Sequence, residues 1–148
     1  MTSRYGLEIR AATAAEAPGL AVLLAAAGQA IDPRELAPRL DALRQGAGTA
    51  LVALEWGPPS GLVVLHWYRR LEEARPVAQI TTLLVGAEER RRGIGRLLVK
   101  AAAQAARNAG CGLLEMAAGE DPSLAAFCLA TGFTVAAPRY LRPLRKAG

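Results

Sequence analysis

The chain has 148 residues, 52% of them hydrophobic and 21% charged, with a formal net charge of +5. That balance fits a globular protein and excludes a disordered one, and the length is most simply one domain spanning residues 1–148. No apolar run approaches the roughly 18 residues of a membrane span. The opening MTSRYGLEIR lacks the apolar core of a signal peptide, so a cytoplasmic location is expected.

Two cysteines, Cys111 and Cys128, are too few for a disulfide scaffold, and with His66 as the sole histidine no cluster has metal-ligand spacing. Ser-His, Cys-His and multi-His zinc mechanisms are thereby excluded, and no metal is expected. Every basic residue except Lys100 and Lys146 is arginine. Arginine matches phosphate geometry better than lysine, which suits nucleic acid or an anionic cofactor, although base composition alone also enriches Ala and Arg.

In chain order, Tyr5–Ala12 alternates like an opening strand. Thr13-Ala-Ala-Glu16 is a capping-box pattern, followed by apolar residues to Ala27 and a stop at Gly28. Asp32-Pro33-Arg34-Glu35 repeats the logic, with Asp as cap, Pro at the first helical position and an end near Gly46. The period then changes to two. Thr49–Trp56, a Gly57–Gly61 turn and Leu62–Tyr68 read as a hairpin, and a turn around Leu71–Arg75 leads to a strand over Pro76–Val85. Gly93–Ala109 is the strongest helix, with Gly110 as its stop. Cys111–Ala118 reads as a buried strand, Asp121-Pro122 caps a short helix through Ala130, and Phe133–Ala136 and Tyr140–Leu144 are expected to close the fold as two strands. The expectation is an α/β (α+β) domain: a mixed, partly parallel sheet of about six to seven strands with about four helices.

Between the strand ending at Val85 and the helix from Gly95 lies EERRRGIGR, Glu88–Arg96. Its amides sit at a helix N-terminus, where the first N–H groups lack intrahelical acceptors and the macrodipole is positive, and anions bind at such ends. Gly93 and Gly95 admit an oxygen-rich ligand where a Cβ would clash, while Arg90, Arg91, Arg92 and Arg96 add attraction. The same residues could also form a solvated helix entry with Glu88 and Glu89 as counter-charge. A Walker loop fails for want of Lys-Ser/Thr, and a dinucleotide fingerprint fails because Leu98 stands where its third glycine belongs.

What does hold is Arg90-x-x-Gly93-x-Gly95 after a strand, which resembles the acyl-CoA signature of the GNAT superfamily of N-acetyltransferases. Leu124–Phe133, LAAFCLATGF, resembles the penultimate helix of that family with its closing Gly-Phe, and the opening strand and helix also agree. The resemblance covers roughly residues 76–144, with weaker agreement earlier. It implies acetyl-CoA as cosubstrate between the strands Gln79–Val85 and Cys111–Ala118. Arg91, Arg92, Gly93, Ile94, Gly95 and Arg96 would face the pyrophosphate, the backbone of Leu83 and Val85 would pair with the pantetheine arm, and an N–H near Leu83 or Leu84 would stabilise the oxyanion. An amine would attack the thioester directly.

Two positions depart from the family. Gln79 stands where a Glu often opens the signature strand, and Cys128 stands where a Tyr often serves as general acid. Cys128 could itself donate, although a buried hydrophobe is the commoner role for such a thiol. Tyr140 could replace the acid from another direction, Glu115 could act as base, and His66 has the ordinary pKa best matched to neutrality. Glu72 and Glu73 read as a solvated turn, and water could instead carry the proton.

The function expected is N-acetyl transfer to a primary amine of a small molecule or peptide; the alternative, motivated by Gln79 and Cys128, is a non-catalytic acyl-CoA-binding or regulatory module. Nucleic-acid binding is not expected, because few aromatics accompany the arginines for stacking. Gly28–Pro33 and Ala136–Arg142 would select the acceptor, and Arg139 and Arg142 lean toward a neutral or carboxylate-bearing one. The sequence leaves the oligomeric state open; members of the family it resembles often form homodimers, and an edge strand such as Thr134–Leu144 could serve that role.

Overall fold

Alternation of apolar and polar residues builds the sheet from the start of the chain. In a computed structural model that describes residues 3–4, 6–89, 93–117, 121–136 and 140–144, β2 (Leu7–Ala11) turns Leu7 and Ile9 inward and leaves Glu8 and Arg10 at the surface. A two-residue strand, β1 (Ser3–Arg4), pairs with it. The sheet continues through β3 (Gly48–Leu54), β4 (Gly61–Tyr68), β5 (Val77–Val85) and β6 (Leu113–Met116), laid side by side in sequence order. Pairing is antiparallel as far as β5, and β6 joins β5 in parallel after a helical crossover. This is the mixed, partly parallel α/β sheet expected, with six strands.

Caps set the helices where the sequence places them. Glu16 accepts the Thr13 amide at 2.8 Å and the Thr13 side chain accepts from Ala15, fixing a 3-10 turn over Ala14–Glu16 ahead of α1 (Ala17–Ala26). Asp32 accepts the Arg34 amide at 2.8 Å to start α2 (Pro33–Gln45), which ends on Gly46. These two helices cover one face of the sheet: Leu20, Leu24, Leu36 and Leu40 pack with Ala50, Val52 and Leu62. On α3 (Ile94–Asn108) the spacing of Ile94, Leu98, Ala102 and Ala106 gathers one apolar stripe, and these side chains are buried. The helix packs against β3, β4 and β5. Adjacent residues of β4 serve the two layers. Leu62 belongs to the α1/α2 core, while a Cβ on Gly61 would lie 2.8 Å from Leu98 Cδ1 and 3.1 Å from Ile94 Cγ2. Gly61 is therefore what lets α3 settle onto the sheet.

The chain divides into two units, Met1–Met116 and Ala117–Gly148. In the second, Asp121 accepts the amides of Ser123 and Leu124 at 2.9 and 3.3 Å and starts α4 (Pro122–Ala130), as its sequence predicts. The Phe133 amide closes the helix end on the Cys128 carbonyl at 3.0 Å.

Two expectations require correction. Residues 133–136 and 140–144 are not strands, so among the described residues the sheet edges are β1 and β6, and the edge foreseen for pairing two copies is not one. Pro143 interrupts the second of these segments and cannot donate to a ladder. The strand expected as buried over Cys111–Ala118 is the shorter β6, and it is an edge strand with Leu113 49% exposed. A run of apolar residues does not by itself distinguish a central strand from an edge.

Candidate active site

The site begins with an irregularity in β5. Val64 of β4 pairs with Thr82 while Leu65 pairs with Ile80, so Thr81 is an extra residue bulged out of the ladder. On the other side of β5, the described pairing with β6 runs from Val77↔Leu113 to Ile80↔Met116 and ends there. Beyond the bulge β5 continues to Val85 paired with β4, and among the described residues the other side of its backbone has no partner from β6. Leu83 and Val85 lie on this stretch, and Leu84 sends its side chain against the α1/α2 core.

The chain then passes through Gly86 and a 3-10 turn (Ala87–Glu89) to the start of α3. Arg90, Arg91 and Arg92 lie outside the described residues. Gly93 precedes the helix at φ +80°, a left-handed conformation that favours glycine, and a Cβ placed there would meet nothing within 4 Å. The Leu97 amide closes the first turn on the Gly93 carbonyl at 3.0 Å. The amides of Ile94 and Gly95 therefore precede the first intrahelical bond, at the positive end of a long helix. Ile94 is buried beside Gly61, whose own Cβ position is 3.2 Å from the Leu84 carbonyl. The helix entry and the exposed edge of β5 thus meet at the same end of the sheet. Gly93, Ile94, Gly95 and Arg96 are brought together here with Leu83, Leu84 and Val85.

On the next-to-last rung of the β5–β6 pairing, one residue before that opening, lies a polar row. His66, Gln79 and Glu115 are direct partners on β4, β5 and β6, so they share one face of the sheet. Tyr68, two residues beyond His66, returns to that face, and its hydroxyl donates to Glu115 Oε1 at 2.6 Å. Arg70 Nη1 lies 3.8 Å from Glu115 Oε2, and Arg70 also donates to Glu72 at 2.7 Å. The bond to the Glu115 carboxylate, reinforced by burial and by the negative charge, raises the Tyr68 phenol above its ordinary pKa. Glu72, read from sequence as part of a solvated turn, is indeed exposed but anchors Arg70. His66 lies apart from this bond, beside a cavity of about 330 Å³ lined by Arg39, Leu43, Gly48 and neighbouring residues.

Glu115 is the sequence candidate that gains partners. Cys128 and Tyr140 belong to the second unit: Cys128 is buried, and burial pushes its thiol up, while Tyr140 is 91% exposed. Sequence reasoning missed Tyr68 and Arg70. The alternation of His66 and Tyr68 signals that Tyr68 shares the histidine's face; the β5–β6 register that sets Glu115 beside them has no such signal. Among the described residues no group of His, Cys, Asp and Glu could hold a metal ion, and no helix is long and apolar enough to cross a membrane.

The model of the acetyltransferase (GNAT) family matches residues 20–133. No curated relative matches the sequence. Among solved structures, an acetyltransferase of Trypanosoma brucei is 22% identical with a TM-score of 0.82, over 93% of this chain and 99% of that one. A protein of Agrobacterium tumefaciens str. C58 described as an acetyltransferase is 28% identical with the same TM-score and coverage. A ribosomal-protein-alanine N-acetyltransferase from Brucella melitensis biovar Abortus is 21% identical, with a TM-score of 0.79 over 93% and 99%.

Proposed function

Because the chain belongs to the GNAT acetyltransferase family, we propose that it transfers the acetyl group of acetyl-CoA to a primary amine of a small molecule or peptide, as one domain over residues 1–148. The observation that carries this reading is the meeting of the β5 edge beyond Ile80, which has no β6 partner among the described residues, with the α3 entry at Gly93. The fit is chemical as well as spatial. Pantetheine carries amides, which can pair with backbone groups of Leu83 and Val85; a pyrophosphate suits the amides around Ile94 and Gly95 and the charge of Arg90, Arg91, Arg92 and Arg96. The open space at Gly93 is where phosphate oxygens would approach.

In the reaction the amine nitrogen attacks the thioester carbonyl, a C–N bond forms, and the C–S bond breaks. An alkylammonium has a pKa of about 10.4, so a proton must leave before attack. Glu115 is the group we assign to receive it, directly or through one water. An N–H of β5 near Leu83 or Leu84 would stabilise the oxyanion. The departing thiolate needs a proton, for which Cys128, Tyr140 and water are the candidates. Most of the rate acceleration in this scheme comes from holding two substrates in line.

A thermal-shift titration with acetyl-CoA, on the wild type and on Gly93→Glu, tests the reading. At a hundred times Kd, binding adds about 2.7 kcal/mol, or roughly 5–10 °C for a domain of this size. The shift is expected in the wild type and lost in the variant. A folded wild type that shows no shift would remove the basis of the proposal. Tight binding with no thiol release across an amine panel would favour the non-catalytic acyl-CoA-binding module, the reading that Gln79 and Cys128 motivate.

A further inference from the structure

Glu115 stands on a short edge strand held by four rungs, a poor platform for a group that must meet a substrate at a fixed distance. A glutamate has three rotatable bonds, and on an edge it has few neighbours to restrict them. Yet the carboxylate is held from two directions. Tyr68 reaches across β5 from β4 to donate at 2.6 Å to one oxygen, and Arg70 approaches the other at 3.8 Å while its own position is set by Glu72 at 2.7 Å. The Tyr68 bond is short, as charge-assisted O–H···O⁻ bonds are. A carboxylate has about four acceptor positions, so these partners leave room for an incoming ammonium hydrogen.

We propose that Tyr68 is a positioning residue for the acyl-transfer reaction: its hydroxyl, with Arg70, fixes the Glu115 carboxylate in the rotamer that receives the acceptor amine. The proposal rests on the assignment of Glu115 as the proton acceptor. Tyr68 itself need touch neither substrate. Its ring stays partly exposed at the margin of the sheet, and its effect passes through the carboxylate it holds. Among the described residues the groups bonded to or paired with this carboxylate are Tyr68 and Arg70; Gln79 beside it in the row is uncharged, His66 lies one strand further, and Glu72 acts through Arg70.

The test compares wild type, Tyr68→Phe, Glu115→Gln and the double variant, with acetyl-CoA and lysine, glycylglycine, a monoamine and spermidine as acceptors, following thiol release. Tyr68→Phe removes one oxygen and keeps the ring. It is expected to lower kcat roughly tenfold, as a small misplacement of a reacting group does, with the KM for acetyl-CoA unchanged. Glu115→Gln should cost roughly a hundredfold, and adding Tyr68→Phe to it should cost no more.

If Glu115→Gln is impaired while Tyr68→Phe keeps the wild-type kcat, the hydroxyl merely ties β6 to β4 and the positioning role is overturned alone. If Glu115→Gln turns over like the wild type, the assignment of Glu115 falls and Tyr68 with it, while acetyl-CoA binding stands. Wild-type protein that binds acetyl-CoA and acetylates none of the four amines overturns both.

Discussion

Replacing Glu16 by alanine probes the joint between the sheet and the α1/α2 layer. In the native protein the carboxylate accepts from the Thr13 amide at 2.8 Å and the Thr13 hydroxyl at 3.1 Å, and from Arg10 at 3.0 and 3.3 Å. Its side chain is 12% exposed, whereas Arg10 is 34% exposed and can turn to water. A net bond to a charged group contributes about 1.5–3 kcal/mol and a lost helix cap typically about 1 kcal/mol. Because water reaches Arg10, the loss should fall near the lower end, about 2 kcal/mol. That is a Tm drop of about 4–8 °C, read by thermal unfolding at pH 7.

The pH dependence supplies a second check on the same variant. Burial by itself raises the Glu16 carboxyl, but the bonds from Arg10 and Thr13 outweigh it and the group sits below its ordinary value. A folded pKa below the unfolded one means stability that is present above the unfolded value, about 4.3, and lost as pH falls through the folded value. The gap between wild type and variant should therefore narrow below about pH 4. A gap under about 1 °C at pH 7, or one as wide at pH 3 as at pH 7, would refute the argument.

One further substitution and one reagent test the core. Gly61→Ala should destabilise by about 1–3 kcal/mol in chemical denaturation, since its Cβ would press on Leu98, Ile94 and the Leu84 carbonyl; an unchanged midpoint would mean that α3 is not seated as described. Cys111 and Cys128 are buried and their thiols are pushed up by that burial, so a thiol reagent at neutral pH should label both slowly in the native protein and promptly in denaturant. Rapid native labelling would contradict the burial of whichever cysteine reacts.

Much of the fold was legible because its boundaries are local chemistry. Thr13, Asp32 and Asp121 cap the helical segments they were expected to cap, and Gly46 ends α2. The hairpin and Val77–Val85 follow from alternation. What could not be read is non-local. Nothing in Leu113–Met116 says that only one neighbour will pair with it, and Phe133–Ala136 carries the composition of a strand without becoming one. In the candidate site, glycine spacing marked the α3 entry and its family, because a left-handed residue ahead of a helix has few sequence solutions. The Tyr68–Glu115 bond joins residues 47 positions apart. It depends on β6 joining β5 in the register that pairs Gln79 with Glu115, a non-local choice that neither strand's own sequence announces.

The bulge at Thr81 and the last β5–β6 rung at Ile80↔Met116 fall at adjacent residues. The opening along β5 is therefore cut into the main chain. Replacing residues along Thr82–Val85 would alter which side chains line the opening without changing the register that makes it. Shutting the passage would take a change in strand register, which no single side-chain exchange readily produces.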